Sequence, residues 1–198
     1  MTRSELKARA MQKLGGGLFQ QNWLYAVLAT LIFSALVSIS SAAVIGPILL
    51  TGPLTYGLSY LYLKQSRTGN KMELAEIFEG FKADFVGNFL LGFLQSLFIA
   101  LWSMLFVIPG IVKQYSWSMA YYVKIDHPDY DWRACLDESK RITMGHKGEL
   151  FLLDLSFIGW AIVCVFTFGI GYFWLIPYMT ATKAEYYEAL RGKDTFTE

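Results

Sequence analysis

Apolar positions along the chain fall in three long blocks, set apart by shorter polar segments with helical periodicity. No charged residue occurs from Leu14 to Leu63; Lys113 is the only one from Phe85 to Val123, and Asp154 the only one from Leu150 to Thr182. The hydrocarbon core of a bilayer is about 30 Å thick and takes roughly 20 apolar residues as a helix. Each block is too long for one such helix and is punctured near its middle: around Ser40-Ser41 and Gly46-Pro47, at Pro109-Gly110, and at Gly169-Ile170-Gly171. Each therefore reads as a helical hairpin of two spans joined by a short turn. The pattern predicts spans near 23–42, 44–63, 85–108, 111–125, 149–167 and 170–187. Runs such as Leu24-Tyr25-Ala26-Val27-Leu28-Ala29 do not alternate, which excludes the strands of a membrane β-barrel.

A short amphipathic helix is expected before each hairpin. In the first, Leu6, Ala10, Met11 and Leu14 share a face, and Thr2 and Glu5 have capping-box spacing. The second carries Leu74, Ile77, Phe78 and Phe81, and the third Trp132, Cys135, Leu136 and Ile142. The returning helices also look alike. Tyr56, Ser59 and Tyr62 match Tyr115, Ser118 and Tyr121 at a constant offset, each set followed by a lysine, Lys64 or Lys124; the third copy keeps Tyr178 and Lys183. The expected fold is an all-α membrane protein, a single membrane domain over 1–198. Its six transmembrane helices form three hairpins, each behind a cytoplasmic amphipathic helix, as a three-fold repeat over 1–66, 67–127 and 128–198. Chance likeness among aromatic-rich membrane sequences is the alternative to the repeat. The span 111–125 is short, about 22 Å at 1.5 Å per residue, whereas the last helix is expected to continue through Glu185-Tyr186-Tyr187-Glu188 into the polar layer.

Composition sharpens this picture. The 198 residues are 55% hydrophobic and 17% charged, with a net charge of +1, below the charged share of about 25% in soluble domains. The balance excludes a general nucleic-acid binder. Sixteen of the seventeen Lys and Arg fall before the first hairpin, between hairpins or at the ends of the returning spans, and an even number of spans puts all sixteen on one side, leaving only Lys113 near the other. By the positive-inside rule both termini face the cytoplasm, in a bacterial cytoplasmic membrane. The first apolar stretch reads as a signal anchor retained as span one, not a cleaved signal. Cys135 falls in a cytoplasmic stretch and Cys164 in a span, so no structural disulfide is expected.

Asp154 draws attention first, because an acid within a span must be paired, protonated or wet. It reads either as a functional acid or as an interfacial aspartate facing neighbouring helices. Lys113, just after Pro109-Gly110, either snorkels to the outer headgroups or points inward. Gly145-His146-Lys147-Gly148-Glu149 gathers His146 and Glu149 at a membrane entrance, as a proton relay, a headgroup site or simply a solvated helix start. With only His127 and His146, no metal-ligand spacing exists, and no nucleophile elbow or phosphate loop is present. Asn88, Gln95 and Gln114 suit interhelical hydrogen bonds, and Gly92, Ser96 and Ala100 suit close helix packing.

Several stretches together resemble a known family: Ser4-Glu5-Leu6-Lys7-Ala8-Arg9-Ala10, Gly52-Pro53-Leu54-Thr55-Tyr56-Gly57-Leu58, Ile77-Phe78-Glu79-Gly80-Phe81, Val107-Ile108-Pro109-Gly110-Ile111-Val112-Lys113 and Gly145-His146-Lys147-Gly148-Glu149-Leu150-Phe151. They are similar to the bacterial integral membrane family catalogued as domain of unknown function 975. In that family a large residue usually stands where this chain has Gly148. The family is distantly similar to the membrane region attached to some glycerophosphodiester phosphodiesterases. The resemblance implies six spans and a membrane location and transfers no catalytic residue. The leading expectation is a non-enzymatic protein that handles lipid or a small solute, or supports an envelope or export system. It has no cofactor, and its partners are membrane lipids and a partner membrane protein or second copy. A scaffold or regulator binding a partner through its amphipathic helices is the second reading, which exposed apolar faces would favour. An enzyme, needing a further acid, histidine or metal ligand beside Asp154 or His146, is the third.

Overall fold

A computed structural model describes residues 3–15, 21–40, 45–69, 71–167 and 169–194. Thr2 of the expected capping box and the turn at 41–44 lie outside these. The described residues are helical: α1 Arg3–Lys13, α2 Gln21–Ser40, α3 Ile45–Thr68, a 3-10 turn Leu74–Phe78 running into α4 Glu79–Ala83, α5 Phe85–Leu105, α6 Val107–Ser116, α7 Ala120–Asp126, α8 Trp132–Ile142, α9 Lys147–Leu155, α10 Ile158–Phe166 and α11 Tyr172–Asp194. Three stretches, Asn22–Ser40, Phe85–Leu105 and Lys147–Phe166, are long and apolar enough to cross a membrane. The amphipathic segments fall where periodicity places them, as α1, the 3-10 turn with α4, and α8, and α11 continues through Glu188 as expected.

The turn expected at Pro109-Gly110 falls instead at extended Phe106, with Pro109 and Gly110 in the first turn of α6, and two of the expected spans are broken where neither Pro nor Gly stands. The stretch 111–125 turns at Trp117–Met119, between α6 and α7. A break frees backbone groups that must find partners inside a protein, and here α8 and α5 supply them. Ser139 donates to the Ser116 carbonyl at 2.9 Å and accepts from Met119 N at 3.2 Å. Thr143 donates to the same carbonyl at 3.1 Å, and Gln95 donates to the Trp117 carbonyl at 3.0 Å. Ser139 and Thr143 are fully buried. The second break, at Ser156-Phe157, parts α9 from α10, and its Ser156 carbonyl accepts from Lys7 of α1 at 3.2 Å.

α3 is the hub, packing against α1, α2, α4, α5, α7 and α11. Its glycines permit this closeness. A β-carbon on Gly57 falls 1.8 Å from the Ile77 carbonyl oxygen, and one on Gly52 falls 2.4 Å from that of Asn88. Gly92, from the small-residue series, faces Gly52 at the same crossing. Asn88 is wholly buried and donates to the Gly80 carbonyl at 2.9 Å, the interhelical role expected of it. The apolar face of α8 is covered: Cys135 and Leu136 are buried with Leu91, Trp117 and Ala120, and Phe98 and Trp132 close over them. Burial in that cluster pushes the Cys135 thiol up to about 11.

Candidate functional site

The polar groups gather where the returning helices end. Lys64 of α3 pairs with Glu76, Lys124 of α7 with Asp84 at 2.9 Å, and Lys183 of α11 with Asp154 at 3.2 Å. Each of the three lysines aligned in the sequence thus holds an acid from another segment. Lys124 is 5% exposed and also donates to the carbonyls of Pro128 and Tyr130. Its ammonium, with the amide of Gly87 at the start of α5, holds Asp84 below the ordinary carboxylate range against the effect of burial.

Deeper in this layer, Arg67 grips Asp126 through both terminal nitrogens, at 2.7 and 2.8 Å. It also reaches Glu188, its Nε at 2.9 Å. Tyr187 donates to Asp126 at 2.7 Å and Arg191 lies 3.4 Å from it. Burial would raise the Asp126 carboxyl; Arg67, Tyr187 and Arg191 outweigh it and hold the group below its usual value. Lys13 of α1 pairs with Glu185 at 2.8 Å, and Ser66 donates to the same carboxylate. Ends of α1, α3, α7 and α11 are thereby tied by charge. The sequence reading missed this network; the one signal for it is charged residues at three- and four-residue spacing past each returning span.

Of the four site residues picked from the sequence, His146 at the N-cap of α9 and Glu149 in its first turn come together, while Asp154 lies further along the same helix with other partners. His146 Nδ1 is 3.1 Å from Glu149 Oε2, which accepts from Tyr186 at 2.8 Å. Asp154 accepts from Tyr115 of α6 at 3.2 Å in addition to pairing with Lys183. Asp154 thus faces α6 and α11, with Lys183 beside its charge. Lys113 lies apart, its ammonium 5.2 Å from the ring centroids of both Trp102 and Trp117, within cation–π reach. Among the described residues no group of three or more His, Cys, Asp or Glu is placed to hold a metal ion.

A cavity of about 460 Å³ opens on another side, between α1, α2, α10 and α11. Its wall includes Trp23, Trp160, Cys164, Trp174 and Tyr178, together with Met11 of α1. Its hydroxyls are turned away to backbone: Thr167 donates to the Cys164 carbonyl at 2.8 Å and Tyr178 to that of Lys7 at 3.3 Å. What remains facing inward is mostly aromatic ring and aliphatic carbon. Such a surface takes hydrocarbon and offers little to a polar solute.

Residues 104–194, from the end of α5 through α11, match the family model described as protein of unknown function DUF975. This is the family that the sequence motifs resemble. No curated protein and no solved structure matches the chain.

Proposed function

We propose that the chain is a non-enzymatic, multi-pass protein of a bacterial cytoplasmic membrane that holds a lipid or small apolar molecule between its hairpins. The apolar cavity between α1, α2, α10 and α11 carries this reading. In it the six spans pair as three hairpins with both termini cytoplasmic, and the ionic layer at the ends of α3, α7 and α11 is the cytoplasmic face. The matching ion pairs of Lys64, Lys124 and Lys183 support the three-fold repeat. Side chains left open at the far ends of the hairpins support the membrane depth: Met104 is 89% exposed, Ile108 75% and Phe166 81%. In water so large an apolar surface is a liability, whereas lipid tails cover it at no cost.

A scaffold that docks partners through cytoplasmic amphipathic helices has less support, because the apolar face of α8 is spent on α5 and α7. The test of the main reading is native mass spectrometry of the protein purified in mild detergent, comparing wild type with Val163→Trp. Val163 lines the cavity and is 54% exposed, so a tryptophan there fills space without crowding the core. Wild type is expected to carry a bound apolar molecule that the variant has lost. Equal loading of the two proteins refutes the assignment.

A further inference from the structure

Helix α1 presents a graded stripe beside the cavity. Arg3, Lys7 and Met11 recur every four residues and so share one helix face. Met11 forms part of the cavity wall. Lys7 is bound to the same wall: its carbonyl accepts from Tyr178, and its ammonium sits 3.8 Å above the ring of Phe157, which packs edge-on against Tyr178 at 5.3 Å. The ammonium spends one donor on the Ser156 carbonyl. Among the described residues no carboxylate pairs with Lys7 or Arg3, whereas Lys13, Lys64, Lys124 and Lys183 each hold one. Burial and the charge of Arg3 lower the Lys7 pKa from its ordinary value. Lys7, with Arg3 one turn before it on the same helix face, thus stands beside a cavity whose wall accepts hydrocarbon, and among the described residues neither has a carboxylate partner.

We propose that this site binds an anionic phospholipid of the surrounding membrane, with an acyl chain in the cavity and the phosphate against Lys7 and Arg3. The inference rests on the cavity reading above and adds the headgroup to it. From Gly171 to Tyr178 the cavity follows α11 for about 10 Å at 1.5 Å per residue. It therefore takes the upper part of a chain and leaves the remainder among the bilayer tails. The charge accounts for the selectivity: a phosphate with no compensating amine supplies the missing counter-ion, while the choline of a zwitterionic lipid brings a further cation to the pair.

The experiment uses the full chain reconstituted in nanodiscs of equimolar phosphatidylglycerol and phosphatidylcholine, extracted into mild detergent and read by native mass spectrometry. Wild type is expected to retain phosphatidylglycerol over phosphatidylcholine several-fold. Lys7→Gln, which can still donate to the Ser156 carbonyl, is expected to bring the two near parity with total lipid unchanged, and Lys7→Arg to keep the preference. Val163→Trp is expected to lose the retained lipid of both kinds while melting as wild type does. Retention in the proportion supplied, or a preference that survives Lys7→Gln, overturns the headgroup assignment; if Val163→Trp still empties the site, the cavity reading stands. Retention that Val163→Trp leaves untouched removes both.

Discussion

Gly57→Ala isolates how the hub helix meets its neighbour. The added methyl falls 1.8 Å from the Ile77 carbonyl oxygen and 2.5 Å from its carbon. Backbone atoms cannot swing aside as a side chain does, so the 3-10 turn must retreat by roughly 1.5 Å to reach ordinary contact. Ile77 is completely buried and would be pulled from its seat. Overpacking of this kind costs about 1–3 kcal/mol, and partial loss of a buried isoleucine adds about 1. Against this, Ala is favoured over Gly within a helix by about 1 kcal/mol. The net expectation is a loss of about 2 kcal/mol, or roughly 4–8 °C in melting temperature for a chain of this size. Gly192→Ala is the control, since a β-carbon there meets nothing within 4 Å and the same propensity gain of up to about 1 kcal/mol has no opposing clash. Thermal unfolding in detergent, followed by circular dichroism, compares them. If Gly57→Ala melts at or above wild type, the close approach of α3 to the Ile77 turn is wrong.

The remaining predictions bear on the polar layer. Asp126→Asn leaves Arg67 and Arg191 facing a neutral group and is expected to cost about 2–3 kcal/mol, below the range for fully buried pairs because Arg67 is 31% exposed; an unchanged urea midpoint in detergent refutes it. The folded pKa of Asp126 is depressed, so its contribution is present above the unfolded value near 3.9 and is lost as pH falls below about 4. The melting temperature should therefore drop between about pH 4 and 3, less steeply in Asp126→Asn, and a wild-type profile flat to pH 3 contradicts this. Asp154→Asn and Lys183→Met are each expected to destabilise by about 1 kcal/mol, with a coupling of at least about 0.5 in the double-mutant cycle; additive effects show that the pair is not energetically linked. Ser139→Ala leaves the buried amide of Met119 without its acceptor, and a loss of about 1–3 kcal/mol is expected. A melting curve matching wild type sinks the account of the α6–α7 break.

The sequence by itself determined the helical blocks and the amphipathic segments, because hydropathy and periodicity are local properties that any solvent boundary reads in the same way. It also placed Asn88 and Gly92 at helix contacts, since a polar or small residue in an apolar run has few other uses. Only the tertiary structure decided where the helices break. Trp117–Met119 carries no helix-breaking residue, and the turn exists because Ser139, Thr143 and Gln95, distant in sequence, satisfy the freed backbone groups. Pairing was decided the same way. His146, Glu149 and Asp154 were visible as chemistry, but Lys183, Tyr115 and Tyr186 reach them through packing of α6, α9 and α11. The Arg67–Asp126–Glu188 network and the seat of Lys7 over Phe157 were hidden for one reason: a charge in a sequence shows its sign and its depth, while its partners depend on which helices come to lie side by side.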